Sequence, residues 1–482
     1  MKILFFREII EVLNAKELKR LESFLNSPYH NRSNEIIELF NFIKKKDSDL
    51  SAFVFTEETM KDLFKKPGIN KYRFNRIVSE FTELLYDFLL NENFKFNRTE
   101  KVLNLVRVLR ERNAVVNAER TNNELGSILK QSRFIDNNFY YRNIKKEKFR
   151  NTVNFTELVY SDKKEFQEIS DQTDHFFIIE KLQSFIMMTY HKAETSYSID
   201  YDPAFKKEII EFIEKNESTI KKKHNLMYLY YLVLRMLEEG TGDTYFNIFR
   251  KYLFANIDNI SEGHFKELIM DYKNNCDNRI YTDQKKYGNE TLKVYMLMDE
   301  KGIFIIDNRI SHVDFLNAVI TALAFKKRAW AGYFFEKYKG LLDVNFKEDV
   351  LHLANSNIYF YDRNLADALL ELNKINSKQF YYYLRIRLLR IKIYYDLDET
   401  ESVNYILDSV KHYIKRNKEL IGINYHIVEN FLKTMRILLR LKNKFSEKEY
   451  LSLLKYLQNE ESIYSRDWIN QESKELRLSP KK

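Results

Sequence analysis

Residues Tyr359-Phe360-Tyr361-Asp362-Arg363-Asn364-Leu365-Ala366-Asp367-Ala368-Leu369-Leu370 pass from an aromatic stretch through a polar joint into an Ala- and Leu-rich stretch. Such a short polar joint suits two neighbouring helices. The stretch is one copy of a longer pattern. Ala331, Phe335 and Tyr338 align with Ala368, Leu372 and Ile375, and these with Val403, Leu407 and Val410, at spacings of 37 and then 35 residues. The segment before each joint keeps the same register through Ala322, Tyr359 and Tyr394. A repeat of this length, with apolar positions at helical spacing, predicts stacked helix pairs.

Composition agrees with that reading. The 482 residues include only 10 glycines and 4 prolines, where average usage would give about 34 and 24. A large sheet needs turn residues at each hairpin, and a doubly wound fold needs glycines for close phosphate approach. Both classes are nearly excluded. With one cysteine, Cys276, no internal disulfide or multi-cysteine metal site can form, which suits a reducing compartment and equally a cysteine-poor secreted protein. The opening apolar run stops at Arg7 and Glu8, too short for a secretory leader. The best uncharged stretch, Leu182 to Tyr190, falls far below the roughly 20 apolar residues of a membrane span. The expected location is cytoplasmic, with no membrane partner.

Outward from the repeats, the helical signal is strong. From Phe74, apolar residues recur at Ile77, Val78, Phe81, Leu84, Leu85, Phe88 and Leu89, opposite Arg76, Glu80, Glu83 and Asp87, so one face stays apolar. Asp202-Pro203, Ser311-x-x-Asp314 and Ser446-x-x-Glu449 read as helix starts, with Ser261 and Thr56 as further caps. Ile303-Phe304-Ile305-Ile306, between Gly302 and Asp307, reads as an extended loop packed on a helix. No Gly/Ser/Pro-rich linker divides the chain. Three regions follow from charge and repeats: an N-terminal helical region 1–97, a basic helical segment 98–170, and a repeat region 171–482.

Between about residues 311 and 417 the sequence resembles the tetratricopeptide (TPR) repeat, with Tyr359 and Ala368 at its first-helix tyrosine and second-helix alanine. It departs where the usual Trp position holds His352 and Arg387, and where the turn glycine is replaced by Arg363 and Asp398. More broadly the chain is similar to a group of uncharacterised bacterial TPR-like proteins, whose early Ser-Pro-Tyr turn is matched by Phe24-Leu25-Asn26-Ser27-Pro28-Tyr29-His30-Asn31. The resemblance implies an all-α fold, a right-handed α-solenoid of antiparallel helix pairs and about 20 helices, TPR-like in its C-terminal half. It also implies a concave groove lined by the first helix of each pair, at Asn357, Phe360, Arg385, Lys392 and Tyr395. Those side chains could hold a peptide carboxylate or an acidic helix by charge-assisted hydrogen bonds. The competing expectation is that the chain closes this groove with its own aromatic residues.

The net charge of +9 is uneven: residues 1–97 carry +1, residues 98–150 carry +7, and the remaining 332 carry +1. Arg107, Arg110, Arg142, Lys145, Lys146 and Lys148 form the candidate basic patch, with Phe139, Tyr140 and Tyr141 beside it. Clustered cations attract acidic protein or phosphate, and neighbouring aromatics are one ingredient of single-strand binding; the same residues also suit a solvated helix face. A second basic stretch, Lys65 to Arg76, resembles the opening of a recognition helix. A third feature is Tyr381-Tyr382-Tyr383 followed by Arg385, Arg387 and Arg390. Three successive helical residues point about 100° apart, so neighbouring repeats must cover them from two sides or one tyrosine is exposed; since interfaces favour Tyr and Arg anchors, the run reads as either core or partner contact.

Signatures of chemistry are missing. There is no phosphate-cradling glycine loop, no H-E-x-x-H and no G-x-S-x-G. Cys276 reads as a buried small hydrophobe, Ser161-x-x-Lys164 as a helix cap with solvated lysines, and the Asp200/Asp202 and Asp396/Asp398 pairs as joint residues. No catalytic residue, cofactor or metal is expected. The sequence points to a non-enzymatic scaffold or adaptor that binds a protein partner through the groove. The alternative is a nucleic-acid- or ribosome-associated factor using residues 98–150.

Overall fold

The computed structural model describes residues 3–45, 71–151, 163–194, 201–280, 283–376, 380–418, 424–460 and 462–478. Among them the chain is all-α, with 23 α-helices, two single 3-10 turns and one two-residue hairpin. It divides into two units: residues 1–132 with 141–172, and residues 133–140 with 173–482.

In the first unit, α1 (Ile3–Val12), α2 (Ala15–Leu25) and α3 (Asn34–Lys45) pack on the long α4 (Lys71–Phe96). The stripe read from Phe74 faces inward: Phe74, Ile77, Val78, Phe81, Leu85 and Phe88 are buried. Phe81 meets the rings of Phe6 and Phe40 at 5.6 and 6.5 Å. Asn14 caps α2 and Glu17 bonds back to it, a full capping box. The Ser-Pro-Tyr turn is tied by buried Asn31, whose amide donates to Leu25 and Ser33 carbonyls and accepts from the Ser33 N–H. α5 (Arg98–Glu111) and α6 (Val115–Lys130) form a hairpin; α7 (Asn137–Asn151) and α8 (Lys163–Glu194) each belong to both units, α7 dividing after Tyr140 and α8 after Gln172.

The second unit continues with α9 (Lys206–Lys215), α10 (Glu217–Lys223), α11 (Asn225–Glu239), α12 (Thr244–Ala255), α13 (Glu262–Arg279) and α14 (Gln284–Glu300). The repeat region holds α15 (His312–Ala324), α16 (Arg328–Tyr338), α17 (Lys347–Tyr361), α18 (Leu365–Lys374), α19 (Phe380–Asp396) and α20 (Thr400–Arg416). It ends in α21 (Asn424–Asn443), α22 (Glu447–Asn459) and α23 (Arg466–Leu478). Each pair α15–α16, α17–α18 and α19–α20 packs together, and the first helices α15, α17 and α19 pack on one another.

The turns carry the period. Lys326, Arg363 and Asp398 have φ of +58°, +60° and +62°, and they lie 37 and 35 residues apart. In each turn the next N–H reaches back five residues, to the Ala322, Tyr359 and Tyr394 carbonyls, at 2.8, 2.9 and 2.9 Å. This closure normally selects glycine at the left-handed position; here L-residues occupy it. Ion pairs link successive turns: Arg328–Asp362 at 2.9 Å, Arg363–Asp396 at 2.7 Å and Asp398–Lys442 at 2.6 Å.

α19 places two of the three tyrosines. Tyr382, Ile386, Leu389 and Ile393 pack into one apolar cluster, whereas Leu388, Ile391 and Tyr395 pack into a second. A helix covered on both sides must be apolar around most of its circumference. Tyr383 stacks on Tyr413 at 4.1 Å; the side chain of Tyr381 lies outside the described residues.

Two local expectations are corrected. Ile305–Ile306 pairs with Arg309–Ile310 as a minimal antiparallel hairpin, because Asp307 and Asn308 both adopt positive φ, which suits a two-residue hairpin turn. Asp202-Pro203 does not open a helix: α9 starts at Lys206, after Phe205 turns to φ +68°. Thr56 lies outside the described residues, and Ser261 precedes α13 without a side-chain cap bond.

Candidate functional site

The groove residues fall on α17 and α19. Asn357 donates to the Leu353 carbonyl on its own helix at 2.7 Å. Arg385 donates to Asn317 on α15, also at 2.7 Å. Phe360 and Lys392 come together, with the ammonium 4.9 Å from the ring. Lys392 is buried, and loss of solvent pushes it down to about 8 against the opposing pull of Asp396. Its ammonium donates to Ser465 Oγ at 3.4 Å and lies 5.9 Å from the Tyr464 ring. Tyr395 is 2% exposed, edge-on to Trp468 at 5.5 Å, with the Lys442 ammonium 4.1 Å from its ring centre. The turn before α23 and that helix's first residues therefore lie over Lys392 and Tyr395. Asn430 holds the turn by donating to the Ser462 carbonyl at 3.2 Å.

Beside Tyr395, Arg363, Asp396, Lys442, Glu472, Glu475 and Leu476 line a cavity of about 220 Å³. Burial pushes Asp396 up to about 6 despite Arg363 and Lys442, and Glu472 up to about 7, reinforced by Asp396 and Glu475. Buried Glu472 Oε1 has no hydrogen-bond partner among the described residues. A second cavity of about 380 Å³ is lined by Arg387, Arg390, Tyr394, Glu401, Ser402, Tyr405 and Ile406. Residues 387, 390 and 394 share a helical face turned about 200° from that of 385 and 392.

Further back along the same unit, α13 carries a polar row. Tyr230 donates to Glu267 at 2.5 Å and meets His264 Nδ1 at 2.7 Å. His264 Nε2 reaches Asn137 at 3.0 Å. Burial raises Asp271 to about 7 and Asp277 to about 6, the latter against Lys273. Lys273 bonds Asp314 at 2.6 Å, so this row largely satisfies itself.

The basic patch is partly neutralised within the first unit. Arg142 pairs with Glu100 at 2.8 Å, Lys146 with Glu147, and Arg107 with Glu111 at 3.9 Å. Lys145 lies 5.3 Å from the Tyr141 ring centre, and Lys148 is exposed. Arg110 is half-buried; burial lowers it, and its Nε and Nη2 find no partner among the described residues. Of the second basic stretch, Lys65 to Asn70 lies outside the described residues. Arg73 and Arg76 pair with Glu35 and Glu80.

Cys276 is fully buried, and burial with the nearby Asp277 and Glu290 pushes its thiol up. A thiol so held is a poor nucleophile. Ser161 and the Lys164 side chain lie outside the described residues, as does Asp200. Among the described residues no group of His, Cys, Asp or Glu has metal-site geometry, and no helix is long and apolar enough to cross a membrane. The cavity beside Tyr395 has no counterpart in the sequence reading, whereas the second is lined by Arg387 and Arg390 of the run read there as either core or partner contact. The chain matches no protein-family model, no curated protein and no solved structure.

Proposed function

We propose that this chain is a non-enzymatic, cytoplasmic scaffold or adaptor, built as a TPR-like right-handed α-solenoid, that binds a protein partner. The observation that carries the reading is the left-handed turn repeated at Lys326, Arg363 and Asp398 with the same closing hydrogen bond. Together with first helices packed on one another, it supports reading α15–α20 as a regular array, and such arrays present extended surfaces to peptides or folded proteins. Asn357, Phe360 and Arg385 remain half-buried on the first-helix face, whereas Lys392 and Tyr395 would need residues 462–468 to move before touching a partner.

The nucleic-acid alternative has less behind it, since Arg142 and Lys146 already hold carboxylates. Affinity purification of the full chain from its native host, with and without nuclease, tests the choice. The expected result is a protein partner retained after nuclease. Loss of all partners on nuclease treatment, or a stoichiometric metal or nucleotide in the purified protein, would overturn it.

A further inference from the structure

Two guanidiniums stand side by side in the cavity between α19 and α20. Arg387 and Arg390 are one turn apart, and among the described residues neither pairs with a carboxylate. Arg390 is held by neutral acceptors, the Leu372 carbonyl at 3.2 Å and Asn373 Oδ1 at 2.9 Å. Its buried Nε has no partner among the described residues. Burial first, then the Arg387 charge, lower it. Arg387 lies 5.2 Å from the Tyr383 ring, which is stacked on Tyr413, so aromatic packing braces its guanidinium.

Across the cavity stand Ser402 and Glu401 in the first turn of α20, whose Glu399 cap makes no side-chain bond. The Thr400 N–H donates to the Asp398 carbonyl at 3.0 Å, and the remaining N–H groups of a first turn favour an anion. Tyr394 lines the side and Tyr405, 73% exposed, the rim. Among the described residues Glu401 is the one acidic group lining the cavity, which leaves two positive charges against one negative. Half-buried like charges repel, and bringing them together without a counter-charge is costly. A carboxylate accepting from both forks would remove that cost, and charge-assisted bonds of this kind are the strong ones.

We propose that the cavity lined by Arg387, Arg390, Tyr394, Ser402 and Tyr405 binds a carboxylate side chain of an acidic peptide segment on a protein partner. This deepens the protein-binding reading above and rests on it. It uses the face of α19 turned away from Arg385 and Lys392, so it is independent of the turn that covers Lys392.

The test titrates fluorescein-labelled octaglutamate into the full chain by anisotropy, with octalysine and a single-stranded oligo-dT as the other probes. Octaglutamate should bind saturably and weaken as salt rises. Arg387→Ala should weaken it by at least about tenfold with an unchanged melting temperature, and Arg387→Lys should restore only part, because a point charge cannot replace the fork. Ser402→Glu, which adds a charge to the cavity without touching the core, should act like Arg387→Ala and keeps the test decisive should an arginine variant unfold. Absence of saturable octaglutamate binding, or binding indifferent to both Arg387→Ala and Ser402→Glu, overturns the proposal. An Arg387→Ala chain that still captures the same nuclease-resistant partner overturns the cavity alone. Oligo-dT binding that depends on Arg387, or capture that nuclease abolishes, overturns the protein-binding reading and the proposal with it.

Discussion

Replacing Glu472 by Gln should stabilise the C-terminal part of the chain at pH 8 and leave it nearly unchanged at pH 5. The carboxyl is 7% exposed, and burial raises it from the usual 4.5 to about 7. The folded chain thus keeps the proton up to about pH 7, while the unfolded chain releases it near 4.5. More protons are bound in the folded form between those values, so stability falls as pH rises through that window. At 1.36 kcal/mol per pKa unit the rise corresponds to about 3 kcal/mol. Part of that rise is repulsion from Asp396 and Glu475, which depends on their own charge, and Arg363 and Lys442 pull the other way, so the expected gain for Glu472→Gln at pH 8 is ~1–2 kcal/mol. Trp468 touches Tyr395 in this cluster and is one of only two tryptophans. In a Trp330→Phe background its fluorescence follows the docking of α23 through a urea gradient. Asp396 shifts the same way and His224, lowered to about 4 by burial, the opposite way, which is why the comparison is between variants at each pH. A loss of equal size at both pH values would refute the reasoning: the carboxylate would then be an ion-pair anchor, not a buried burden.

Lys326→Gly should raise the urea midpoint by the equivalent of ~0.5–1 kcal/mol, the left-handed penalty less glycine's added chain entropy; Arg363→Gly should gain less, since it also loses the 2.7 Å pair to Asp396. Gly288→Ala should cost about 1–3 kcal/mol in the same assay, because a Cβ there would overlap the Phe325 ring. Full-chain binding to oligonucleotide should be weak, non-specific and lost between about 50 and 200 mM salt. Reversing Arg107, Arg110, Lys145 and Lys146 to Glu should abolish what remains, and nanomolar sequence-selective binding in a mobility-shift assay would contradict this.

What the sequence discloses here is what recurs within a few turns of helix or at a fixed period. The small residues Ala331 and Ala368 and the tyrosines Tyr359 and Tyr394 locate the helix pairs to within a residue, because packing repeats where the backbone repeats. The turns are a subtler case: Arg363 and Asp398 look like departures from a glycine pattern, yet both adopt the glycine conformation. The closing hydrogen bonds and the apolar contacts of each pair outweigh about 1–2 kcal/mol of left-handed strain. Helix starts divide in the same way. Ser311 and Ser446 do cap their helices, but the acids three residues on leave the local motif, Asp314 for Lys273 and Glu449 for Arg440. A single-sequence pattern cannot see a partner 41 residues away.

The same boundary runs through the site. Arg385 and Lys392 are seven residues apart and read as one face, which the structure preserves: Arg385 reaches Asn317 and Lys392 reaches Ser465. Those partners lie 68 and 73 residues distant, in opposite directions along the chain. Register says which face a side chain shares; it carries no information on what arrives to cover that face. Lys392 becomes a buried cation lowered to about 8 only because residues 462–468 return to α19. Arg387 and Arg390, on the other face, receive no carboxylate from that returning turn. Two arginines of identical sequence character to Arg385 are therefore separated from it by the path of the chain alone, and that path is what makes their cavity the better candidate for a partner's carboxylate.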